Sequence, residues 1–355
     1  MASSASPLLS IVIPTYNRDW CVGRAIESAI AQTAPDIEII VSNNGSRDHT
    51  RDVIARYSDP RMRVIHRNIT VSAAQHGNLL RQECKGKFFV GLSDDDYLEP
   101  EFSSEVIEVI KHYPDIPFIY TACNIHFEDV SIIGFYGPEF ESNLDFVEGF
   151  FSGRREAYWC SCVTKLSYLL DIGDQPDFIQ MGDLYYWMKV VFRTNAMVAC
   201  IQKPLAHYTL MSDNISRTVP VYNWAAELRF HADAAIEEFV KRVDVERVGR
   251  IKRKASTCIA NACADQIIWN ALANVPKRTL VRDAMESARF WSHESVAWPR
   301  IAFGLVATPS LVRRFIFAAA RRRATTGRMI WEDMQKVLHR FRFWFNETSR
   351  GDHKM

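Results

Sequence analysis

The 355-residue sequence has no apolar run near the length of about 18 residues that a bilayer-spanning helix needs. Met1 to Pro7 is small and polar, without the charged and apolar regions of a secretory signal, so a cytoplasmic location is expected. A formal charge of +1 leaves no excess of one sign to argue for nucleic acid or for an acidic partner. Eight cysteines without regular spacing fit reduced thiols rather than a disulfide scaffold. Cys160 and Cys162 lack the second pair that a zinc site would need. Internal repeats and low-complexity tracts are absent as well.

What is present is a series of short apolar runs separated by helical patterns. Leu8 to Ile13 reads as a first buried strand, followed by the loop Thr15-Tyr16-Asn17-Arg18. Val22, Ala25, Ile26, Ala29 and Ile30 then recur at helical spacing. Ile37 to Val41 is a second strand, ending in Ser42-Asn43-Asn44-Gly45-Ser46 before a short helix near Asp48. Arg63 to His66 supplies a third strand, Ser72 to Cys84 a helix, and Phe88 to Gly91 a fourth strand that runs into Asp94-Asp95-Asp96. Strands alternating with helices predict an α/β fold with a mostly parallel central sheet covered on both faces. Further on, Pro100 to His112 reads as a helix, Phe118 to Cys123 as a strand and Ile125 to Tyr136 as β-rich. Gly149 to Cys162 reads as a site-lining loop with a strand, Asp183 to Phe192 as a helix, and Lys203 to Ser216 as a polar tail. The expected domains are 1–220 and a helical C-terminal region, 221–355.

Ligands of open α/β sheets bind beyond the carboxyl ends of the strands, and the chemistry-bearing residues cluster there. Three adjacent carboxylates suit a hard divalent cation bound together with a diphosphate; the alternative is a solvated acidic loop, with Asp96 starting the next helix. Tyr16 could stack on a base, and Asn43 and Asn44 offer donors and acceptors to one, although Asx residues also form plain turns. Asp183, among Met181, Tyr185 and Trp187, is either a general base of raised pKa or a helix N-cap.

Three motifs in this order, Leu9-Ser-Ile-Val-Ile-Pro-Thr-Tyr-Asn-Arg18, Ile39-Ile-Val-Ser-Asn-Asn-Gly-Ser-Arg-Asp48 and Phe89-Val-Gly-Leu-Ser-Asp-Asp-Asp-Tyr-Leu-Glu-Pro100, resemble the family 2 inverting glycosyltransferases of bacterial polysaccharide or O-antigen synthesis, which have the GT-A fold. The resemblance is strong over residues 8–112, weaker to 216 and absent beyond. It implies that Pro14, Thr15, Tyr16 and Asn44 contact the nucleoside, within a donor site made of Pro14, Thr15, Tyr16, Asn17, Arg18, Asn43, Asn44 and Asp94. It further implies that Asp95 binds Mn²⁺ or Mg²⁺ and that Asp183 is the catalytic base. The partners so implied are a nucleoside diphosphate sugar, a UDP-sugar first, and a glycan or lipid-linked acceptor. Tyr158, Trp159, Tyr185 and Trp187 are candidates to stack on acceptor sugars, and equally good candidates for core.

Three departures from the family pattern stand out. Asn43-Asn44 replaces the usual Asp-Asp; Ser93 stands where many members have the first metal-motif Asp; and Thr209-Leu210-Met211 precedes Asn214-Ile215-Ser216 where an Arg-x-His is common. His207 is a candidate to substitute as a metal or phosphate contact, against a purely structural role. A catalytically inactive nucleotide-sugar-binding or scaffold protein is the alternative from another class. A nucleotidyltransferase would bring a glycine-rich phosphate loop after the first strand, and there is none. Leu311 to Phe345 carries nine Lys/Arg against two Asp/Glu, with apolar residues at helical spacing. That pattern fits a solvated helix face or a peripheral contact with an anionic membrane surface. Oligomer formation stays open.

Overall fold

The computed structural model describes residues 6–127, 130–179, 181–193, 195–211, 220–272 and 277–287. The basic segment 311–345 and the Asn214-Ile215-Ser216 tail lie outside the described residues.

Strands β1 (Leu9–Thr15), β2 (Ile37–Asn43), β3 (Met62–His66) and β4 (Phe88–Gly91) form where the apolar runs predict them. They are joined by α1 (Val22–Ile30), α2 (Thr50–Ile54) and α3 (Ala73–Glu83). All four are parallel, in the order β3-β2-β1-β4, so their carboxyl ends share one edge. Register places Thr15 beside Asn43, and Asn43 beside His66, at that edge. Successive strand residues face opposite sides, and β1 is apolar on both. Ile11 and Ile13 pack in the layer formed with α1 and α4 (Phe102–His112). Val12 packs on the other face with Leu80 of α3 and with α6 (Leu166–Asp171) and α7 (Gly182–Arg193).

The sheet continues through β9 (Cys162–Lys165), β6 (Phe118–Phe127), β10 (Met197–Leu210) and β5 (Tyr97–Leu98). This half is mixed: β6 and β10 are parallel, whereas β9 runs antiparallel to both β4 and β6, and β5 antiparallel to β10. The remaining strands are β7 (Val130–Ile133) and β8 (Phe140–Ser142), the latter paired with β10.

Two expectations need correction. Residues Asn143–Phe151 form a helix, α5, capped by Ser142 Oγ on the Asp145 N–H, so the helix runs into the stretch from Gly149 that reads as a loop. Residues 203–210, expected to be part of a polar tail, are instead the second half of the 14-residue strand β10. Its register shifts on both sides of Pro204, a bulge that accommodates a proline without a ladder N–H.

Two compact units divide the chain. The first takes the described residues within Met1–Phe127, Ile133–Leu210 and Phe230–Lys252; the second takes those within Glu128–Ile132, Met211–Arg229 and Arg253–Met355. The described chain ends in helices α8 (Val221–Val240), α9 (Val245–Leu272) and α10 (Lys277–Ser287). Among the described residues no helix is long and apolar enough to cross a membrane.

Candidate active site

The loop after β1 is stitched to the loop after β2. Asn17 occupies the left-handed region, φ 54°, which asparagine tolerates better than most residues. Its N–H donates to Ser46 Oγ at 2.8 Å, and its Oδ1 accepts the Arg47 N–H at 2.8 Å. Asn43 Oδ1 accepts the Ser46 N–H at 2.9 Å, an Asx turn. Asn44 is 5% exposed and forms a two-bond clamp on Val71, donating from Nδ2 to its carbonyl at 2.9 Å and accepting its N–H on Oδ1 at 3.1 Å. Both asparagine side chains thus have protein partners. Tyr16 is 42% exposed, leaving an open ring over this edge.

At the end of β4 the three acids differ. Asp94 lies 3.9 Å from Arg18 Nε. Burial, reinforced by the neighbouring Asp95 charge, pushes its carboxyl up to about 7, against the opposing pull of Thr15, Arg18 and the Tyr16 N–H. Asp95 is 6% exposed, and its backbone carbonyl accepts a hydrogen bond from Arg24 of α1. Asp96 is fully buried; its Oδ1 accepts the Thr209 N–H at 2.8 Å, tying the strand end to β10. Burial and the Asp95 charge hold it well above the usual carboxylate range. The groups therefore fit a divalent cation: two adjacent carboxylates crowded out of water carry negative charge that a hard cation would relieve. No group of three or more metal-ligating side chains occurs among the described residues. Oxygen from a bound diphosphate would have to complete the shell.

His207 stacks on Tyr97 with ring centroids 4.0 Å apart. Its Nε2 lies 2.7 Å from Glu99 Oε1 and its Nδ1 2.8 Å from His126 Nε2. With both ring nitrogens held, ligating a metal would require His207 to give up one of these bonds.

Asp183 is the second residue of α7, half-buried, and its Oδ1 accepts the Leu184 N–H at 2.8 Å. A 3₁₀ turn, Trp159–Ser161, leads into β9. Besides burial, Asp96 contributes to raising the Cys160 thiol and Asp183 to raising the Cys162 thiol. The indole of Trp159 lies against Gly91: a Cβ there would come within 1.9 Å of Trp159 Cε2 and Nε1. Trp159 and Tyr158 are half-buried, the latter stacked on Tyr208 at 4.6 Å. Trp187, 1% exposed, packs among Phe118, Phe146 and Phe150, and Tyr185 is 5% exposed with its hydroxyl held by Lys189. These two belong to the core, which leaves them no face for a sugar ring.

Sequence reading missed Arg24 and Arg67. Arg24 sits on a helix read for its apolar face alone; it also donates to Thr209 Oγ1 at 3.1 Å and covers the Tyr97 ring at 4.7 Å. Arg67, just past β3, has its Nε and Nη2 buried with no hydrogen-bond partner among the described residues. Nothing in its sequence surroundings marks it out.

A sheet with a parallel half, whose strand ends carry the acids, continued by a mixed half is the GT-A fold. Residues 10–160 match the model of glycosyl transferase family 2. Chondroitin synthase of Pasteurella multocida is 33% identical over 139 residues, which are 38% of this chain and 14% of that one. The chain spans 14% to 38% of the length of the first curated relatives it matches. Two solved structures share the fold. Staphylococcus aureus TarS 1-349, in complex with UDP-GlcNAc, has a TM-score of 0.52 at 15% identity, covering 89% of this chain and 92% of that one. The mannosyltransferase PcManGT of Pyrobaculum calidifontis, in complex with GDP-Man and Mn²⁺, has a TM-score of 0.54 at 14% identity, covering 85% and 86%.

Proposed function

We propose that this protein is a metal-dependent, inverting glycosyltransferase that moves a sugar from a nucleoside diphosphate sugar to a hydroxyl of a glycan or glycolipid. The observation that carries this reading is the crowding of half-buried Asp94 and buried Asp95 at the end of β4, with Arg18 beside them. In this reading Tyr16 stacks on the base, Asp94 lies by the ribose and diphosphate, and Asp95 would hold Mn²⁺ or Mg²⁺. The cation, when bound, neutralises charge on the leaving diphosphate. Asp183 removes the proton from the acceptor hydroxyl, which attacks the anomeric carbon from the face opposite the leaving group. Tyr158 and Trp159 supply the acceptor-side aromatic surface. The nucleotide-sugar complexes of the two structural neighbours and the polysaccharide-synthase relative support the donor and acceptor classes.

The test is release of nucleoside diphosphate from a panel that includes UDP-N-acetylglucosamine and GDP-mannose, with Mn²⁺, with and without acceptor extracts. Asp183→Asn should bind donor normally and lose about 10²-fold or more in turnover, the range for a positioned acid or base. Undiminished turnover in Asp183→Asn would remove the base from the mechanism. Donor binding without any turnover by the unmodified protein would point to a binding or scaffold role instead.

A further inference from the structure

A general base works only if its helix starts in the right place, and here the start of α7 is fixed from α3. Asn78 of α3 is 8% exposed and clamps Gln175 by two bonds: Nδ2 donates to the Gln175 carbonyl at 3.0 Å, and Oδ1 accepts the Gln175 N–H at 2.9 Å. The same Oδ1 accepts Arg81 Nη2 at 2.6 Å and the Tyr186 hydroxyl at 2.8 Å, so loop and helix hang on one atom. Gln175, itself 8% exposed, passes the constraint on. Its Nε2 donates to the Ile179 carbonyl at 2.7 Å. Its amide also walls the first residue of α7: a Cβ on Gly182 would sit 2.6 Å from Gln175 Oε1 and 3.1 Å from Nε2. The next residue is Asp183, and the Tyr185 N–H to Met181 carbonyl bond of 3.0 Å follows at once.

We infer that Gln175 is a positioning residue for Asp183: its side-chain amide sets the backbone at Gly182 and thereby the direction of the carboxylate. This inference rests on the proposed role of Asp183 as base. Gln175 touches no substrate in this scheme, and its loss acts through the geometry of another group. A displacement of about 1 Å at a reacting group can cost about 10²-fold in rate. A residue of merely structural importance would lower the amount of folded protein and leave the turnover of what folds intact.

The test uses the full chain, the panel sugar nucleotide with the highest turnover, and UDP or GDP with Mn²⁺ as binding probes. Gln175→Ala should lower kcat about tenfold or more while donor KM and nucleotide Kd stay within about twofold. Gly182→Ala should lower kcat similarly, because its new methyl meets the Gln175 amide. The double variant should be no worse than Gln175→Ala alone, since the group the methyl collides with is gone. Wild-type kcat in Gln175→Ala, or strictly additive losses in the double variant, would overturn the inference. If Gln175→Ala does not fold, Gln175→Met keeps the bulk, removes the bond to Ile179, and is judged by the same criteria. Asp183→Asn run alongside separates the two ideas. Should it keep full turnover, the base assignment and this inference fall together; should it lose turnover while Gln175→Ala does not, only the positioning role falls.

Discussion

Replacing His76 by Gln should make stability less sensitive to acid. The His76 ring is 4% exposed, with Nε2 2.8 Å from Ser42 Oγ at the end of β2. Burial, with a smaller contribution from the Arg67 charge, pushes its pKa from 6.5 down to about 4. The unfolded chain therefore takes up this proton as pH falls below 6.5, whereas the folded chain holds out until about 4. Across that window the unfolded state binds more protons, so stability is lost as pH falls. At pH 5 the unfolded histidine is almost fully protonated and the folded one almost fully neutral, a penalty of about 2 kcal/mol. Asp94 works in the opposite sense, because its raised pKa keeps a proton on the folded chain between its ordinary value and about 7. Wild type alone would therefore mix the two effects. Urea midpoints of wild type and His76→Gln at pH 7.5 and pH 5 isolate the histidine: the wild-type loss between the two pH values should exceed the variant's by about 2 kcal/mol. Equal losses in the two proteins would refute the assignment of a buried neutral ring.

Gly91→Ala forces the Trp159 indole off β4, a steric conflict worth about 1–3 kcal/mol, read as a lower urea midpoint; an unchanged midpoint would mean that the indole does not rest on that strand. Arg67→Met removes a guanidinium whose buried Nε and Nη2 have no hydrogen-bond partner among the described residues. The free protein should keep its stability, while UDP or GDP binding with Mn²⁺, measured calorimetrically, should weaken about tenfold, the cost of about one hydrogen bond to a charged group. Unchanged nucleotide affinity would refute a contact between Arg67 and the nucleotide.

The parallel half of the fold was legible because its strands are buried on both faces, so Leu9 to Ile13, Ile37 to Val41 and Phe88 to Gly91 stand out as apolar runs without regard to partners. The other half was not legible in that way. Residues 203–210 contain Pro204, Lys203 and His207, and only pairing with β6 and the bulge at Pro204 make them a strand. In α5 the residues from Gly149 onward, glycine and aromatics, carry weak local preference, and the helix forms around the Phe146 contacts with Phe118 and Trp187. Strand-end residues of the candidate site were visible from motif and position together. Arg24, Arg67 and Asn78 were not, because what marks each of them is a contact or an empty donor far along the chain. Trp187 and Trp159 are indistinguishable in sequence, and separate only when one proves to be enclosed by phenylalanines and the other to lie against Gly91.

The departure at Asn43-Asn44 acquires a physical reason from the same comparison. Asn44 holds Val71 through both amide groups, and Val71 immediately precedes Ser72, the N-cap of α3. Asn78, on that helix, holds Gln175 by the same pair of bonds. One helix is therefore pinned by an asparagine where the chain enters it, and uses a second asparagine to pin the loop before Asp183. An aspartate in either place could accept the N–H but would set a carboxylate against the partner carbonyl, which needs a donor. At position 44 the side chain is thus bound to a mechanical role that an acid could not fill. On the proposed reading, recognition of the base then shifts toward Tyr16, with its open ring, and Arg67, with two donor nitrogens that have no partner among the described residues. Both follow strands of one edge, Tyr16 after β1 and Arg67 after β3, so on that reading the exchange of acids for amides would leave the place of the nucleotide unchanged while altering which groups read it.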